Sequence, residues 1–218
     1  VGSTGSGKTT IVNLLNRFYE PQHGSIFLDG TNVNELEIKS LRSNIALVLQ
    51  DVFLFADTLL NNITLWNRHI PFKAVTDAAK KIGIHDFIMS LPGGYNYNVR
   101  ERGVMLSQGQ RQLIAFLRAY IKYPSILILD EATSSIDSKS EKLIQYATET
   151  ITKNKTSIII AHRLSTVLKS DRIIVLENGL IAEQGKHKEL IKIENGIYKN
   201  LYEDQLRKMK IKQAQPQS

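Results

Sequence analysis

The sequence predicts an α/β fold in which a mainly parallel β-sheet is interrupted by a block of helices. Short apolar runs of strand character alternate with helical segments, which is typical of a parallel sheet covered on both faces. A glycine-rich loop opens the chain, and a helical block from about residue 51 to residue 123 breaks the alternation. We therefore predict a sheet-containing core with an inserted helical subdomain, for which 218 residues are sufficient.

The glycine-rich loop, Gly2 to Thr9, fits the phosphate-loop pattern G-x-x-x-x-G-K-[ST] at every fixed position. Its glycines permit left-handed backbone angles that turn N–H groups toward one centre, and the next helix adds the positive end of its dipole. Lys8 supplies a cation for the β- and γ-phosphates, and the Thr9 hydroxyl is a ligand for Mg²⁺. A flexible Gly/Ser linker is the alternative, but a linker does not require Lys-Thr before an apolar run. The loop predicts that the chain binds a nucleoside triphosphate.

Further along the chain, apolar and β-branched runs predict strands, and segments with helix-start signals predict helices. The predicted strands lie within residues 24–30, 44–50, 125–130, 156–162 and 171–179. The predicted helices cover residues 71–84, 85–91, about 107–120 and a segment that opens at Ser138, where Ser138 and Glu141 have capping-box spacing. Residues 92–103 are predicted to form a loop.

Composition limits the class of protein. The chain is 42% apolar and 22% charged, as globular proteins are, and it has no cysteine for disulfides or cysteine-based metal sites. No apolar run reaches the ~18–20 residues that span a bilayer. The formal net charge is +7, and part of the excess lies in the tail after residue 205. A basic surface favours nucleotides, nucleic acid or anionic lipid, but a solvated face without a partner explains the tail equally well.

The segment SILILDEA places two carboxylates at the end of an apolar strand. Ile126 to Leu129 predict a buried strand that ends at Asp130, and ligands of open α/β sheets bind beyond the carboxyl ends of strands. Asp130 is therefore expected to hold Mg²⁺, directly or through water, and Glu131 to orient a water or accept its proton. The alternative is that both acids only begin a helix, where they suit its dipole.

The order of the remaining motifs resembles that of ATP-binding cassette (ABC) proteins along nearly the whole chain. LSQGQRQ, from Leu106 to Gln112, is similar to the family signature L-S-G-G-Q, and Gln50 ends a strand as the Q-loop glutamine of the family does. Three segments resemble the exporter branch of the family most closely, namely residues 50–63, ERG at 101–103 and residues 185–205. SSID at 134–137 is similar to the D-loop of the family, and His162 is similar to its switch histidine.

The resemblance implies a P-loop NTPase (RecA-like) core, and it implies roles for individual residues. Glu131 would be the general base, Gln50 would sense the metal and the attacking water, and His162 would contact the γ-phosphate. The implied metal ligands are Thr9, Gln50 and Asp130. The implied nucleotide-binding residues are Gly2, Ser3, Thr4, Gly5, Ser6, Gly7, Lys8, Thr9 and Thr10, together with Ser107, Gly109 and Gln110, which would reach the γ-phosphate bound by a second, head-to-tail subunit.

Each motif residue also has a structural interpretation. Gln50 could be a polar loop residue, His162 a structural histidine, and Ser107 or Asp137 a helix N-cap. Gln108 departs from the family pattern, because it replaces the first signature glycine. Since glutamine carries a Cβ, we predict that this position needs no positive φ.

Val52 stands where many exporters of this family have proline. The first β-strands of the family and its adenine-stacking aromatic would precede the phosphate loop. We therefore expect the chain to be the C-terminal part of a longer polypeptide.

The function predicted from the resemblance is that of the ATP-binding and ATP-hydrolysing domain of an ABC exporter. Its partners would be a transmembrane domain upstream in the same polypeptide and a second ATP-binding domain in a homo- or heterodimer, with no nucleic acid. It would lie at the cytoplasmic face of an inner or plasma membrane. The alternatives are a soluble ABC-type ATPase associated with nucleic acid or ribosomes, and a non-catalytic nucleotide switch, which an intact Glu131 and His162 disfavour.

Four segments are predicted along the chain. Residues 1–50 form the first part of the ATPase core, and residues 51–123 form the helical subdomain with the signature. Residues 124–195 form the second part of the core, and residues 196–218 form a C-terminal helix and basic tail.

Overall fold

A computed structural model describes residues 1–131, 138–161 and 163–214, with the backbone alone for residues 138, 139 and 208–214. The helices are α1 Lys8–Leu15, α2 Ile38–Asn44, α3 Leu59–Thr64, α4 Phe72–Lys81, α5 His85–Met89, α6 Gln108–Ile121, α7 Ser138–Thr152, α8 Leu164–Leu168, α9 His187–Leu190 and α10 Ile197–Ala214. The strands are β1 Phe27–Leu28, β2 Thr31–Asn32, β3 Ile45–Val48, β4 Ile126–Asp130, β5 Thr156–Ile160, β6 Ile173–Glu177 and β7 Leu180–Gly185.

The chain divides into two compact units. One comprises Val1–Asn34 with Ile160–Ser218, and the other comprises Glu35–Ile159. Within the described residues, no helix combines the length and the apolar character that crossing a bilayer requires.

The first unit holds the phosphate loop and two antiparallel strand pairs, β1 with β2 and β6 with β7. The β1–β2 hairpin turns through Asp29 and Gly30, which both have positive φ, as a two-residue type I′ connection requires. Val1 and Gly2 run parallel to β6. The Val1 nitrogen donates to the Ile174 carbonyl at 2.9 Å, and the Leu176 N–H donates to the Val1 carbonyl at 2.9 Å.

The C-terminal helix α10 is attached to β7 through a carboxylate. Glu183 Oε1 accepts a hydrogen bond from the Ile197 N–H at 2.6 Å, and Oε2 accepts one from the Tyr198 N–H at 3.1 Å. Both donors belong to the first turn of α10, where N–H groups lack partners within the helix and the helix dipole favours negative charge.

The second unit contains a three-stranded sheet in the order β3-β4-β5 and a large apolar core. Strands β3 and β4 are parallel, with Ile45 opposite Ile126 and Val48 opposite Leu129. Helix α6 contributes fully buried side chains at a helical spacing, because it packs against α3, α4, α7 and β3. These side chains are Leu113, Ile114, Phe116 and Leu117.

The predicted strands are confirmed, since each predicted range contains one of the strands β1, β3, β4, β5 and β6. The predicted helices are confirmed as α4, α5, α6 and α7. Helix α7 begins at Ser138, whose side chain lies outside the described residues, so the capping box there stays a prediction. The predicted loop 92–103 contains two 3-10 turns, Gly94–Asn96 and Glu101–Gly103, which the glycine-rich sequence did not indicate.

The core of the second unit generates a stability prediction. Phe116 is 1% exposed, and its replacement by alanine should lower the free energy of unfolding by about 3–5 kcal/mol, because the cavity cannot fully close. Phe27→Ala is the matched control, since Phe27 is 63% exposed and its truncation should cost about 0.5 kcal/mol or less. Urea denaturation followed by circular dichroism measures both. Equal losses in the two variants would contradict the assignment of Phe116 to the core.

Candidate nucleotide-binding site

The phosphate loop has the backbone that an anion site requires. Gly2, Gly5 and Gly7 have φ values of 147°, 81° and 101°, which disfavour any residue with a Cβ. Gly7 is the N-cap of α1, and the first turn of this helix contains no acidic residue. Successive N–H groups and the N-terminus of an eight-residue helix therefore favour a phosphate group at this place.

Lys8 is held by the loop itself. Its Nζ donates to the Gly2 carbonyl at 2.9 Å, to the Ser3 carbonyl at 2.6 Å and to Ser6 Oγ at 3.3 Å. The ammonium group therefore lies at the same loop whose N–H groups are suited to bind phosphate. A cation that already has a fixed position loses less conformational entropy when an anion binds.

The exposure of the loop residues agrees with ligand access. Ser6 is buried beneath the loop. A Cβ placed on Gly5 would meet no atom within 4 Å, so the outer side of the loop is open. The exposed residues of the motif are Ser3, Thr4, Gly5, Thr9 and Thr10.

The start of the loop is fixed to β6 at very close range. A Cβ on Gly2 would lie 2.2 Å from the Leu176 carbonyl oxygen and 2.8 Å from Ser6 Oγ. The turn between β6 and β7 also approaches the loop, because a Cβ on Gly7 would lie 3.8 Å from the Cα of Gly179. Sequence reasoning missed this role of the turn. The Asn178-Gly179 pair is a sequence signal for a tight hairpin, so it could have indicated the turn. It could not have indicated that the turn lies beside the phosphate loop.

In the second unit, two adjacent strand ends bring polar residues to one edge of the sheet. Val48 of β3 and Leu129 of β4 are the last residues paired in the parallel register. Gln50 follows Val48 by two residues, and Asp130 and Glu131 follow Leu129 directly. Because parallel strands end at the same edge, the sequence-predicted Gln50, Asp130 and Glu131 are brought to one side of this sheet.

Glu131 is a buried carboxylate, with 4% of its surface exposed. A carboxylate is rarely buried to this degree unless it is paired or has a chemical function. Asp130 and Gln50 are partly exposed at the strand ends.

The signature segment begins α6 with a complete capping box. Ser107 Oγ accepts a hydrogen bond from the Gln110 N–H at 3.2 Å, and the Ser107 N–H donates to Gln110 Oε1 at 2.9 Å. Ser107 is exposed and Gly109 is buried. Gln108 is the first helical residue, so the expectation that it needs no positive φ is confirmed. The N-cap interpretation of Ser107 is therefore correct, and it is compatible with anion binding at the same helix N-terminus.

Two predicted motifs lie outside the described residues. These are His162 and the SSID segment with Asp137. Within residues 1–131, 138–161 and 163–214, no group of three or more His, Cys, Asp or Glu side chains is arranged to hold a metal ion.

Comparison with known proteins places these features in a family. The family model described as ABC transporter matches residues 1–134. An ATP-dependent lipid A-core flippase from Saccharophagus degradans is 51% identical over 205 residues, which are 94% of this chain and 35% of the flippase. A putative multidrug export ATP-binding/permease protein from Staphylococcus aureus is 48% identical over 202 residues, which are 93% of this chain and 35% of that protein.

Similarity to a solved structure agrees with this placement. A bacterial Atm1-family ABC exporter with ATP bound superimposes with a TM-score of 0.85 at 42% identity, covering 94% of this chain and 36% of the exporter chain. The chain belongs to the ABC transporter family, as an ATP-binding domain of the exporter type. The predicted P-loop NTPase fold class is confirmed. The chain spans about a third of the length of the bacterial relatives described here.

The close approach of Gly2 to β6 generates a prediction. Gly2→Ala forces the loop away from the Leu176 carbonyl, whereas Gly5→Ala strains φ without a steric clash. Gly5→Ala should cost about 1–2 kcal/mol of stability, and Gly2→Ala about 1–3 kcal/mol more. Urea denaturation of the two variants tests the difference. A Gly2→Ala protein as stable as Gly5→Ala would show that the contact with β6 is dispensable.

Proposed function

We propose that this chain powers export across a membrane by binding and hydrolysing ATP as one of two paired domains. The observation that carries the proposal is the buried Glu131 immediately after Asp130, at the end of a strand whose parallel neighbour leads to Gln50. A buried carboxylate at the ligand edge of a parallel sheet is suited to proton transfer, and an adjacent strand end supplies a polar group that can position water.

The phosphate loop is assigned to the β- and γ-phosphates of ATP. Its N–H groups and the N-terminus of α1 would bind phosphate oxygens, with Gly2, Gly5 and Gly7 making the backbone shape possible. Lys8 would exchange its hydrogen bonds to Gly2, Ser3 and Ser6 for phosphate oxygens. This exchange replaces neutral acceptors by charged ones, and charge-assisted hydrogen bonds are about twice as strong as neutral ones.

In the proposed hydrolysis, Glu131 accepts a proton from a water molecule as the water oxygen attacks the γ-phosphorus. The bond between the γ-phosphorus and the bridging oxygen breaks, and ADP leaves with the electron pair. Gln50 would orient the attacking water, and His162 would donate a hydrogen bond to the γ-phosphate. Because phosphoryl transfer proceeds through a loose transition state, positioning and charge stabilisation supply most of the catalysis.

Mg²⁺ would be held by the hydroxyl of Thr9, by Gln50 and by Asp130, directly or through water. The ion would neutralise negative charge on the β- and γ-phosphates. The donor types fit this ion, because Mg²⁺ prefers oxygen ligands and keeps several waters. Thr9 is exposed at the first turn of α1, which leaves its hydroxyl accessible.

A second copy or a homologous domain would complete the site from the opposite side. Ser107, Gly109 and Gln110 at the start of α6 are assigned to the γ-phosphate bound by that partner, in a head-to-tail dimer. The exposed Ser107 and the helix N-terminus support this role, since both favour an anion. ATP must bind the closed dimer more tightly than the open one if it is to drive closure.

A transmembrane domain is the proposed partner of the helical subdomain, at the cytoplasmic face of the membrane. Phe53, Phe55 and Trp66 form an exposed aromatic surface, since these residues are 54%, 41% and 48% exposed. Exposed aromatic residues of this kind are typical of protein contact sites. The ERG segment at residues 101–103 is proposed as a second contact with the transmembrane domain. Arg100, Glu101 and Arg102 are all exposed there, and Arg102 has a positive φ.

Glu131→Gln tests the catalytic assignment. The amide keeps the size of the side chain but cannot accept the proton, so hydrolysis should fall about 10²–10⁴-fold while ATP binding is retained. Phosphate release measures turnover, and equilibrium binding of labelled ATP measures affinity. Glu149→Gln is the control, since Glu149 is an exposed residue of α7 and its replacement should leave both quantities unchanged. Undiminished turnover in Glu131→Gln would refute the assignment.

A further inference from the structure

Arg118 is a mostly buried cation in the last turn of the signature helix α6, and its described partners are all neutral. Its Nε donates to the Asn62 carbonyl at 2.9 Å, and its two terminal nitrogens donate to the Phe53 carbonyl at 3.3 Å and to Asn62 Oδ1 at 3.5 Å. Burial lowers the pKa of the Arg118 guanidinium. A buried charge held only by amide oxygens costs free energy, which a neutral apolar residue at this position would avoid.

The partner of Arg118, Asn62, is a fully buried side chain that fixes the loop before α3. Its Oδ1 accepts from the Phe55 N–H at 2.8 Å, and its Nδ2 donates to the carbonyls of Phe55 and Thr58 at 3.0 Å each. Both main-chain groups of Phe55 are therefore bonded to one amide. Arg118 adds the carbonyl of Phe53 to the same network.

The residues fixed by this network carry the exposed aromatic surface. The Phe53 and Phe55 rings meet edge to face at 5.0 Å, and the Phe55 and Trp66 rings do so at 4.9 Å. The Trp66 indole N–H donates to Asp57 Oδ2 at 2.8 Å. The pKa of Asp57 lies below its ordinary value because its carboxylate accepts hydrogen bonds from the Thr58 N–H, the Asn61 amide and the Trp66 indole. The three rings are thus held as one rigid patch.

Arg118 lies eleven residues after Ser107 in α6, a distance of about 16 Å along the helix. The serine assigned to the nucleotide is the N-cap of this helix, and the arginine bonded to the aromatic patch lies in its last turn. A shift of α6 along its axis, or a rotation around that axis, would therefore move the carbonyls of Phe53 and Asn62 together with the helix.

We propose that Arg118 is a positioning residue that couples the signature helix to the aromatic patch formed by Phe53, Phe55 and Trp66. This inference rests on the proposed function, because it assigns a nucleotide to the start of α6. The planar guanidinium donates to Asn62 and to Phe53 at the same time. A lysine ammonium is a point charge that does not reproduce the same set of hydrogen bonds.

Trp66 provides the measurement, because it is the only tryptophan of the chain. The chain is titrated with Mg²⁺ and the non-hydrolysable β,γ-imido analogue of ATP, and the tryptophan emission is recorded. In the unsubstituted chain, nucleotide should shift the emission of Trp66. In Arg118→Met the shift should fall at least about fivefold. The affinity for the analogue, measured separately with a labelled nucleotide, should change less than about threefold, since Arg118 is not among the residues assigned to the nucleotide and lies eleven residues after Ser107.

Two further variants keep the test decisive. Arg172→Met removes an exposed arginine that donates to Gln184 Oε1 and should leave the emission shift unchanged. Arg118→Lys retains the charge and should lose most of the emission shift. If thermal unfolding shows that Arg118→Met does not fold, Arg118→Lys alone tests the coupling between α6 and the aromatic patch.

The outcomes separate the two proposals. If the unsubstituted chain does not bind the analogue, the proposed function fails and this inference fails with it. If the chain binds the analogue but Trp66 does not respond, or responds equally in the Arg118 variants, the coupling role is overturned and the nucleotide site stands.

Discussion

The parallel pairing of β3 with β4 is the constraint on which the placement of Gln50, Asp130 and Glu131 depends. Its register sets Val48 opposite Leu129, and the residues after this pair carry the polar chemistry. Burial of the strand residues stabilises the pairing, because Ala46 and Val48 of β3 and Leu127 and Leu129 of β4 enter one apolar core. A slip of one residue would turn every side chain of the strand to the opposite face and would separate Gln50 from Glu131.

The phosphate loop is built by a different kind of interaction. Its shape comes from backbone conformations that only glycine adopts at low cost, and its position comes from main-chain hydrogen bonds between Val1 and β6. Lys8 then bonds to the loop through three oxygen acceptors. A site made of backbone groups and one bonded cation is preorganised for an anion, because few side chains must be ordered when the anion binds.

The second unit combines an apolar interior with a small number of buried polar groups. Asn62 satisfies main-chain groups of Phe55 and Thr58, and Arg118 joins this amide to α6. Polar groups in such a place are costly unless every hydrogen bond is made, and a complete set specifies one arrangement of the surrounding segments. The exposed rings of Phe53, Phe55 and Trp66 owe their fixed geometry to this buried set and to Asp57.

The sequence by itself determined strands β1, β3, β4, β5 and β6, helices α4 to α7 and the chemical classes of the motifs. Local patterns were sufficient for this, since G-x-x-x-x-G-K-T, the run before Asp130 and the Ser107 cap depend on residues close together in the chain. Family membership followed from the order of those motifs. The tertiary structure alone decided that Gly2 touches Leu176, that Gly179 lies beside Gly7 and that Arg118 bonds to Phe53. These contacts join residues 65 or more positions apart, and no periodicity encodes them, because they depend on how whole strands and helices pack.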